Sequence, residues 1–193
     1  MEPEETAALV RRAAAGDQSA WGALVTAYAG LVWAIARTHR LGAADAEDVA
    51  QTTWEKFART MGKGDINQPE RAGAWLATTA RRESLRVLAI RNRVLPTGDL
   101  GWIGASPTEE NPEEVALARE DSAHAVRVWQ ALHLLGENCQ QLLRVMMADP
   151  PPSYADAAAA LGVTVGYLGP TRKRCLEKLR KLVSEPVESG HDW

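Results

Sequence analysis

The chain has 193 residues, 46% of them hydrophobic, and a formal net charge of −3, which together describe a globular protein of one or two small domains. The net charge argues against a generally basic nucleic-acid coat protein. We expect no membrane insertion, because no apolar run comes near the length of a membrane span. Residues 1–5 are acidic and lack the basic region of a signal peptide, so the expected location is the cytoplasm.

The first half of the sequence reads as a run of helices. We predict helices over 4–15, over 17–41 with Asp17 as the N-cap, over 45–61 and over 71–93. Residues 61–69 form a loop rich in Gly, Asn and Pro. The spacing predicts that the inner positions of the last helix are Trp75, Leu76, Thr79, Leu85 and Leu88.

An acidic, Pro- and Gly-rich stretch then interrupts the helical pattern. Residues 71–93 carry six arginines against one glutamate, whereas residues 95–121 carry seven acids against one arginine. Helices are predicted again from Pro112 to Gly136 and over 137–148, followed by a break at 149–152. The sequence therefore predicts an all-α protein with a domain at 1–94, a flexible acidic linker at 95–111, a domain at 112–183 and a disordered tail at 184–193.

The second domain ends in a helix-turn-helix pattern. Ser153 is a suitable N-cap with Asp156 in the capping-box position, Gly162 supplies a tight turn, and a second helix runs from Thr164 to about Leu182. The expected buried stripe of that helix is Leu168, Cys175, Leu176, Leu179 and Leu182. Its opposite face is cationic, with a net charge of +5 over residues 165–182. This suits a DNA groove, although a solvated Lys/Arg-rich C-terminal helix would show the same pattern.

The sequence offers little for catalysis, metals or cofactors. Cys139 and Cys175 occupy apolar helical positions without a CxxC spacing, so we expect two buried free thiols and no structural zinc. The spacing of Asp45, Glu47 and Asp48 spreads them around a helix, which disfavours a metal cluster. No nucleophile motif or phosphate-binding loop accompanies the four scattered histidines, so neither an enzyme nor a cofactor is predicted.

Several motifs on both sides of the acidic stretch resemble the extracytoplasmic function (ECF, group 4) sigma factors of the sigma-70 family of bacterial RNA polymerase. In the first half these are Gly16-Asp17 with Ala20-Trp21, Leu24 and Tyr28, the run DAEDVAQTTW at 45–54, and WLATTARRE at 75–83. In the second half they are CQQLL at 139–143, SYADA at 153–157 with Leu161-Gly162, and RKRCLEKLR at 172–180. The resemblance implies a region 2 domain, a linker and a region 4 domain.

The resemblance also implies roles for particular residues. The helix over 45–61 would bind core RNA polymerase at the β′ clamp helices, with a further contact to the β subunit, through Asp45, Asp48, Gln51, Thr52 and Glu55. An ordinary solvated helix face would look the same. The loop near 63–73 and the helix after it would bind minus-10 promoter DNA through Lys63, Asn67, Gln68, Arg71, Arg81, Arg82, Glu83 and Arg86. Trp75 could act as a wedge between bases, but its register favours the core.

By the same resemblance, the second helix of the helix-turn-helix would read the minus-35 element. The implied residues are Gly166, Tyr167, Pro170, Thr171, Arg172, Lys173, Arg174 and Lys178. The acidic linker would enter the polymerase cleft as an RNA mimic, unless it is only a soluble spacer. Many family members have an anti-sigma factor wedged between the two domains, which makes such a protein a candidate partner.

The main hypothesis is therefore a promoter-specificity subunit with no catalysis of its own. The alternative is a helix-turn-helix regulator that binds an operator as a dimer without core polymerase. That class needs a dimer interface, and the sequence shows no heptad seam to supply one. It would also leave the 45–54 motif and the basic helix over 71–93 unexplained.

Overall fold

The computed structural model describes residues 1–39, 41–94 and 122–184, and within these ranges the regular structure is helical throughout. The described residues form eight α-helices in chain order: α1 Pro3–Ala14, α2 Gln18–Thr38, α3 Ala43–Gly62, α4 Ala72–Val94, α5 Ser122–Leu134, α6 Glu137–Met146, α7 Tyr154–Leu161 and α8 Val165–Ser184. A 3-10 turn, Pro69–Arg71, precedes α4. The all-α prediction is confirmed, and most predicted helix ends lie within three residues of the observed ones.

Local capping explains where two of these helices begin. The Asp17 carboxylate accepts hydrogen bonds from the backbone N–H groups of Ser19 at 2.9 Å and Ala20 at 3.1 Å. The hydrogen bonds from Ser19, Ala20 and Arg12 hold the pKa of Asp17 well below its usual range. At α7, the Asp156 N–H donates to Ser153 Oγ, and Ser153 Oγ donates to the Asp156 carboxylate at 2.8 Å. Both predicted N-caps are confirmed.

The core of the first half is built around the middle of α2. Leu24, Leu31 and Ile35 are fully buried between α1, α3 and α4. Four aromatic side chains extend this core at one end, with neighbouring ring centroids 5.4 to 6.2 Å apart: Trp21, Trp54, Phe57 and Trp75. Trp75 packs on Phe57, so its prediction as a core residue rather than a wedge is confirmed.

Helix α2 corrects the expectation that no segment approaches a membrane span. Gln18–Thr38 is the one helix among the described residues that is long and apolar enough to cross a membrane by length and composition. It passes this test because alanines and aliphatic residues fill it and Arg37 is its only charged residue. A core helix of a soluble protein passes the same test, and the buried face of α2 packs inside the protein, so the feature is weak support for a span.

Two predicted inner positions are wrong. Leu85 is 41% exposed, because the inward face of α4 runs through Ala80, Ser84 and Leu88, and Leu85 lies about 100° away from Ser84. Leu176 is 39% exposed for the same reason, since it follows the buried Cys175 by one residue. The predicted linker at 95–111, the helix start at Pro112 and the tail beyond 184 lie outside the described residues, and the domain boundaries stay a prediction.

The structure also corrects the prediction of two free thiols. Cys139 on α6 and Cys175 on α8 form a disulfide, with sulfurs 2.02 Å apart and Cα atoms 5.4 Å apart. The two helices pack on each other, so residues 36 positions apart in sequence face one another. No local pattern in the sequence indicates this pairing, because it depends on how α6 and α8 pack.

Reduction of this disulfide should destabilise the second half of the chain. A cross-link that closes a loop of 36 residues restricts the unfolded chain by about 4 kcal/mol in the chain-entropy account. We therefore expect dithiothreitol to lower the free energy of unfolding by about 2–4 kcal/mol, measured by urea denaturation. The Cys139→Ser/Cys175→Ser double variant is the control and should not respond to reductant. Equal stability of the wild type in both conditions would contradict the cross-link.

Candidate polymerase and nucleic-acid interfaces

One face of α3 carries the residues predicted to bind polymerase. Asp48, Gln51 and Glu55 are exposed, and Gln51 Nε2 donates a hydrogen bond to Glu55 Oε1 at 3.0 Å. Thr52 is half-buried beside them. Asp45 is half-buried at the start of the helix, where its Oδ2 lies 3.9 Å from Arg91 Nη1 of α4. All five positions follow helical spacing, so the structure brings them together along one side of α3.

The opposite side of α3 explains why this face is presented to solvent. Val49, Thr53 and Phe57 are buried against α2 and α4. The Thr53 hydroxyl donates to the Val49 carbonyl at 2.7 Å, so the buried polar group is satisfied within the helix. Rotation of α3 is thereby fixed, and the polar face over 48–55 points outward.

Four of the eight predicted minus-10 residues are exposed in the loop and 3-10 turn before α4. Lys63, Asn67 and Gln68 are all exposed. Arg71 Nη1 donates to Gln68 Oε1 at 3.1 Å, which ties the loop to the 3-10 turn. The turn itself packs on α1, so a rigid base supports a short polar loop. Polar side chains on such a loop can hydrogen-bond an unpaired base.

On α4 the predicted residues do not share one environment. Arg82 and Arg86 are exposed, whereas Arg81 is half-buried, with its guanidinium group lying against Gly162 at the end of α7. Glu83 is only 6% exposed. Because Glu83 is buried, its carboxylate cannot contact DNA directly. The structure therefore does not support Glu83 as one of the predicted minus-10 DNA-binding residues.

Glu83 instead joins α3 to α4. Lys56 Nζ donates to Glu83 Oε1, and Arg86 Nε donates to Glu83 Oε2 at 2.8 Å. Burial raises the pKa of Glu83, but the hydrogen bonds and charges of Lys56 and Arg86 outweigh it and the pKa falls below its usual value. Lys56 was missed by sequence reasoning, because a lysine 27 residues from its partner gives no local signal.

Helix α8 presents the predicted minus-35 face. Gly162 ends α7 in the left-handed conformation, with φ of +68°, and α8 begins three residues later. The exposed positions are Gly166, Tyr167, Pro170, Arg172, Lys173, Arg174 and Lys178. Leu168 and Cys175 are buried on the other side. The cationic face is therefore free of the core, as a groove-binding helix requires.

Thr171 is the one member of this set that the structure places inside. It is 7% exposed, and its hydroxyl accepts a hydrogen bond from Arg174 Nη2 at 3.3 Å. A buried threonine cannot bind a phosphate group, but its hydroxyl does hold the guanidinium group of Arg174.

Among the described residues, no group of three or more His, Cys, Asp or Glu side chains could hold a metal ion.

Comparison with known proteins finds a family match over part of the chain. The family described as "Sigma-70 region 2" matches residues 24–94, the segment that contains α3, the exposed loop and α4. This segment of the chain is therefore similar to region 2 of the sigma-70 family. The family match thus covers the part of the molecule that carries the predicted polymerase and minus-10 residues.

Curated relatives extend this likeness over nearly the whole chain. The RNA polymerase sigma factor CnrH of Cupriavidus metallidurans is 28% identical over 97% of this chain and 100% of its own length. NccH of Alcaligenes xylosoxydans xylosoxydans is 25% identical over 94% of this chain and 96% of its own. The ECF RNA polymerase sigma factor BldN of Streptomyces coelicolor is 27% identical over 92% of this chain and 65% of its own.

A solved structure supports the fold. CnrH in complex with the cytosolic domain of CnrY superposes with a TM-score of 0.56, covering 93% of this chain and 97% of that one. The sequence identity in this comparison is 22%, so it speaks for the shared all-α architecture alone.

The Glu83 cluster predicts a stability change that depends on pH. Glu83→Gln removes the carboxylate that Lys56 and Arg86 share, and we expect it to lower the free energy of unfolding by about 1–2 kcal/mol near neutral pH. The folded-state pKa is depressed, so this contribution is present above the ordinary pKa of a glutamate and is lost as the pH falls through the folded-state value.

Urea denaturation of wild type and Glu83→Gln at several pH values measures this difference. The gap between the two proteins should close as the pH falls into the acid range. The exposed Glu55→Gln is the matched control and should cost under about 0.5 kcal/mol. A gap that stays constant with pH would contradict the ion-pair account.

Proposed function

We propose that this chain is an extracytoplasmic function sigma factor of the sigma-70 family, which binds core RNA polymerase and directs initiation at promoters that carry a minus-35 and a minus-10 element. The observation that carries the proposal is the presence, on one chain, of three separate exposed faces of suitable chemistry. These are the polar face of α3, the loop before α4 together with the exposed arginines of α4, and the cationic face of α8. An operator-binding regulator that acts without core polymerase would not need the polar face of α3.

The face of α8 suits recognition of duplex DNA at the minus-35 element. Six basic residues against Glu177 give the helix a net charge of +5, and the positive side chains that flank the reading face can neutralise phosphates. Arg174 and Lys173 lie on the exposed face, where a guanidinium or ammonium group can reach base edges in the major groove. The hydrogen bond to Thr171 holds Arg174 in place before DNA arrives.

The loop over 63–68 and α4 suit the minus-10 element. Asn67 and Gln68 offer hydrogen bonds to an unpaired base, while Arg71, Arg82 and Arg86 offer contacts to the phosphates around it. The loop carries no aromatic residue for stacking, so hydrogen bonding would carry the recognition. In this proposal Glu83 acts indirectly, because it holds Arg86 by a charge-assisted hydrogen bond.

The face of α3 is the proposed docking surface for the β′ clamp helices of core polymerase, with the β subunit as a further contact. Its exposed carboxylates, Asp48 and Glu55, offer charge-assisted hydrogen bonds to basic groups on a partner helix. The chain would then act in the cytoplasm as a specificity subunit without catalysis of its own. The acidic linker at 95–111 is proposed to enter the polymerase cleft.

A protein that controls access to polymerase is a further proposed partner. The relative CnrH has been solved with the cytosolic domain of CnrY. We propose that an anti-sigma factor of this kind binds the present chain as well. Co-purification of the tagged chain from its own cells, followed by mass spectrometry, would reveal such a protein.

Run-off transcription tests the proposed function. Purified core polymerase is incubated with a fragmented genomic library, with and without the chain, and the transcripts are sequenced. Transcripts that depend on the chain, and whose start sites share two spaced elements, are expected. DNA binding by the chain alone, with no new transcripts and no binding to core polymerase, would instead support the operator-binding regulator.

Arg174→Ala should weaken promoter recognition. We expect a loss of about 1–3 kcal/mol in holoenzyme binding to the duplex minus-35 element, concentrated on one base pair if Arg174 reads a base edge. Arg180→Ala is the matched control, because it removes the same charge from another side of α8. Fluorescence anisotropy on a set of single-base variants measures both. Equal losses in the two proteins would remove Arg174 from the reading face.

The double variant Gln51→Ala/Glu55→Ala should reduce the affinity for core polymerase at least tenfold, because both side chains lie at the centre of the proposed docking face. Glu137→Ala/Gln141→Ala is the control, because it removes the same two kinds of side chain, also four residues apart and joined by a hydrogen bond of 3.4 Å, from α6. Titration of labelled chain with core polymerase gives the affinities, and circular dichroism checks the fold. Normal holoenzyme assembly by the double variant would exclude this face.

A further inference from the structure

The Cys139–Cys175 disulfide is the one covalent cross-link among the described residues, and it joins α6 to α8. In the proposed function the chain acts in the cytoplasm, where glutathione and dithiol proteins keep most cysteines reduced. Disulfides that do form in that compartment are usually transient and respond to redox conditions. Neither polymerase docking nor base recognition uses this bond, so its place in the molecule needs an explanation of its own.

Cys139 has the surroundings of a reactive cysteine. It is the third residue of α6, whose N-cap, Gly136, offers no side-chain hydrogen bond to the first turn. The free N–H groups and the positive end of the helix dipole stabilise a thiolate at this position. Glu137, the acid of the same turn, lies about 200° away around the helix and accepts a hydrogen bond from Gln141. Cys139 is also half-buried rather than enclosed, so a small thiol can approach it.

Cys175, in contrast, is enclosed. It is 1% exposed and belongs to the same hydrophobic cluster as Leu142 and Leu168, whereas Cys139 lies at the edge of that cluster. The course of an exchange reaction depends on which sulfur an external thiol can attack. The two sulfurs therefore have different roles: the sulfur of Cys139 meets the external thiol, and the sulfur of Cys175 leaves into the interior.

Helix α8 has few other anchors in the interior. Over its 20 residues only Leu168, Thr171 and Cys175 are buried. Cys175 comes one turn after Thr171, whose hydroxyl holds the guanidinium group of Arg174. The bond to Cys139 thus fixes the rotation of α8 at the residue next to Arg174, on the part of the helix that carries the proposed DNA-reading side chains.

We propose that Cys139–Cys175 is a reversible thiol–disulfide exchange site, and that the formed bond holds α8 in the orientation that binds the minus-35 element. The partner in the exchange is a cellular dithiol, or a low-molecular-weight disulfide in the reverse direction. The effect on DNA rests on the proposed function, whereas the exchange itself does not. Reduction would loosen α8 and weaken its binding, because an ordered face loses less entropy when it meets its ligand.

Atoms and electrons balance in both directions of the exchange. In reduction, one thiolate of the dithiol attacks Sγ of Cys139, the S–S bond breaks, and Cys175 leaves as a thiolate that takes up a proton. The second thiol of the reductant then displaces Cys139 from the mixed disulfide, which releases the oxidised reductant and two protein thiols. In the reverse direction the Cys139 thiolate attacks the small disulfide, and Cys175 then displaces the small thiol from Cys139.

Single-cysteine variants test the roles of the two sulfurs. Cys175→Ser leaves only Cys139, and Cys139→Ser leaves only Cys175. With oxidised glutathione as the probe, we expect the mixed disulfide to form about tenfold faster or more in Cys175→Ser, because Cys139 is reachable and its thiolate is stabilised. Mass spectrometry of the intact chain follows the reaction, and circular dichroism checks the fold. Equal rates in two folded variants, or faster reaction of Cys139→Ser, would overturn the assignment.

The wild-type chain tests whether the bond is reversible, and this measurement decides the matter even if a single-cysteine variant does not fold. The chain is equilibrated with reduced and oxidised glutathione at a series of ratios, the thiols are trapped by alkylation, and the peptides are mapped. We expect the bond to be lost in an excess of reduced glutathione and to re-form when the ratio is reversed. A bond that stays intact in that excess would be purely structural and would overturn the proposal, as would thiols that do not re-form it.

Binding by the holoenzyme tests the effect on DNA. Oxidised and reduced chains are freed of redox reagents without air, assembled with core polymerase and titrated with a promoter fragment recovered by run-off transcription. Fluorescence anisotropy should show binding weaker by about threefold or more for the reduced chain. Cys139→Ser/Cys175→Ser is the control, and it should bind as weakly as the reduced wild type after either treatment. Equal affinities of the oxidised and reduced wild type would overturn the effect on α8.

The three experiments separate this proposal from the proposed function. If the chain neither binds core polymerase nor yields transcripts, the proposed function fails, and the two glutathione experiments still decide whether the site exchanges. If the chain directs transcription but its bond does not respond to glutathione, the proposed function stands and the exchange site is wrong.

Discussion

Close contact between α4 and α7 is the constraint on which the rest of the molecule depends. Gly73 leaves room for the Asp156 carboxylate, and alanines on both helices allow their backbones to approach. The same contact brings Arg81 against the helix-turn-helix turn. Because α7 leads directly into α8, the position of the cationic helix follows from how α7 lies on α4. The relative positions of two proposed binding surfaces, on α4 and on α8, therefore depend on one interface.

The remaining surfaces are held by polar side chains in fixed positions. Glu83 receives Lys56 from α3 and Arg86 from its own helix, so the two helices with the proposed polymerase and minus-10 faces are fastened to each other. Thr171 plays a similar part on α8 by accepting a hydrogen bond from Arg174. In both places a buried acceptor orients an exposed arginine, which would reduce the entropy lost on binding DNA in the proposed function.

Local features were predictable from the sequence, whereas long-range ones were not. Caps at Asp17 and Ser153, the turn at Gly162 and the polar face of α3 follow from interactions within a few residues, and all are present. The Cys139–Cys175 disulfide depends on helix packing across 36 residues, and the burial of Glu83 depends on a lysine 27 residues away. Gly30, which lies against the backbone carbonyl of Asp149, does stand out in the sequence, because a glycine inside a helix costs stability relative to alanine.

The central proposal is that the polar face of α3 binds core polymerase, while the loop before α4 and the cationic face of α8 bind promoter DNA. Fluorescence anisotropy of a labelled promoter fragment tests it most directly, measured with the chain alone, with core polymerase alone and with both together. We expect sequence-specific binding only when both proteins are present. Sequence-specific binding by the chain alone, unchanged by core polymerase, would contradict the account.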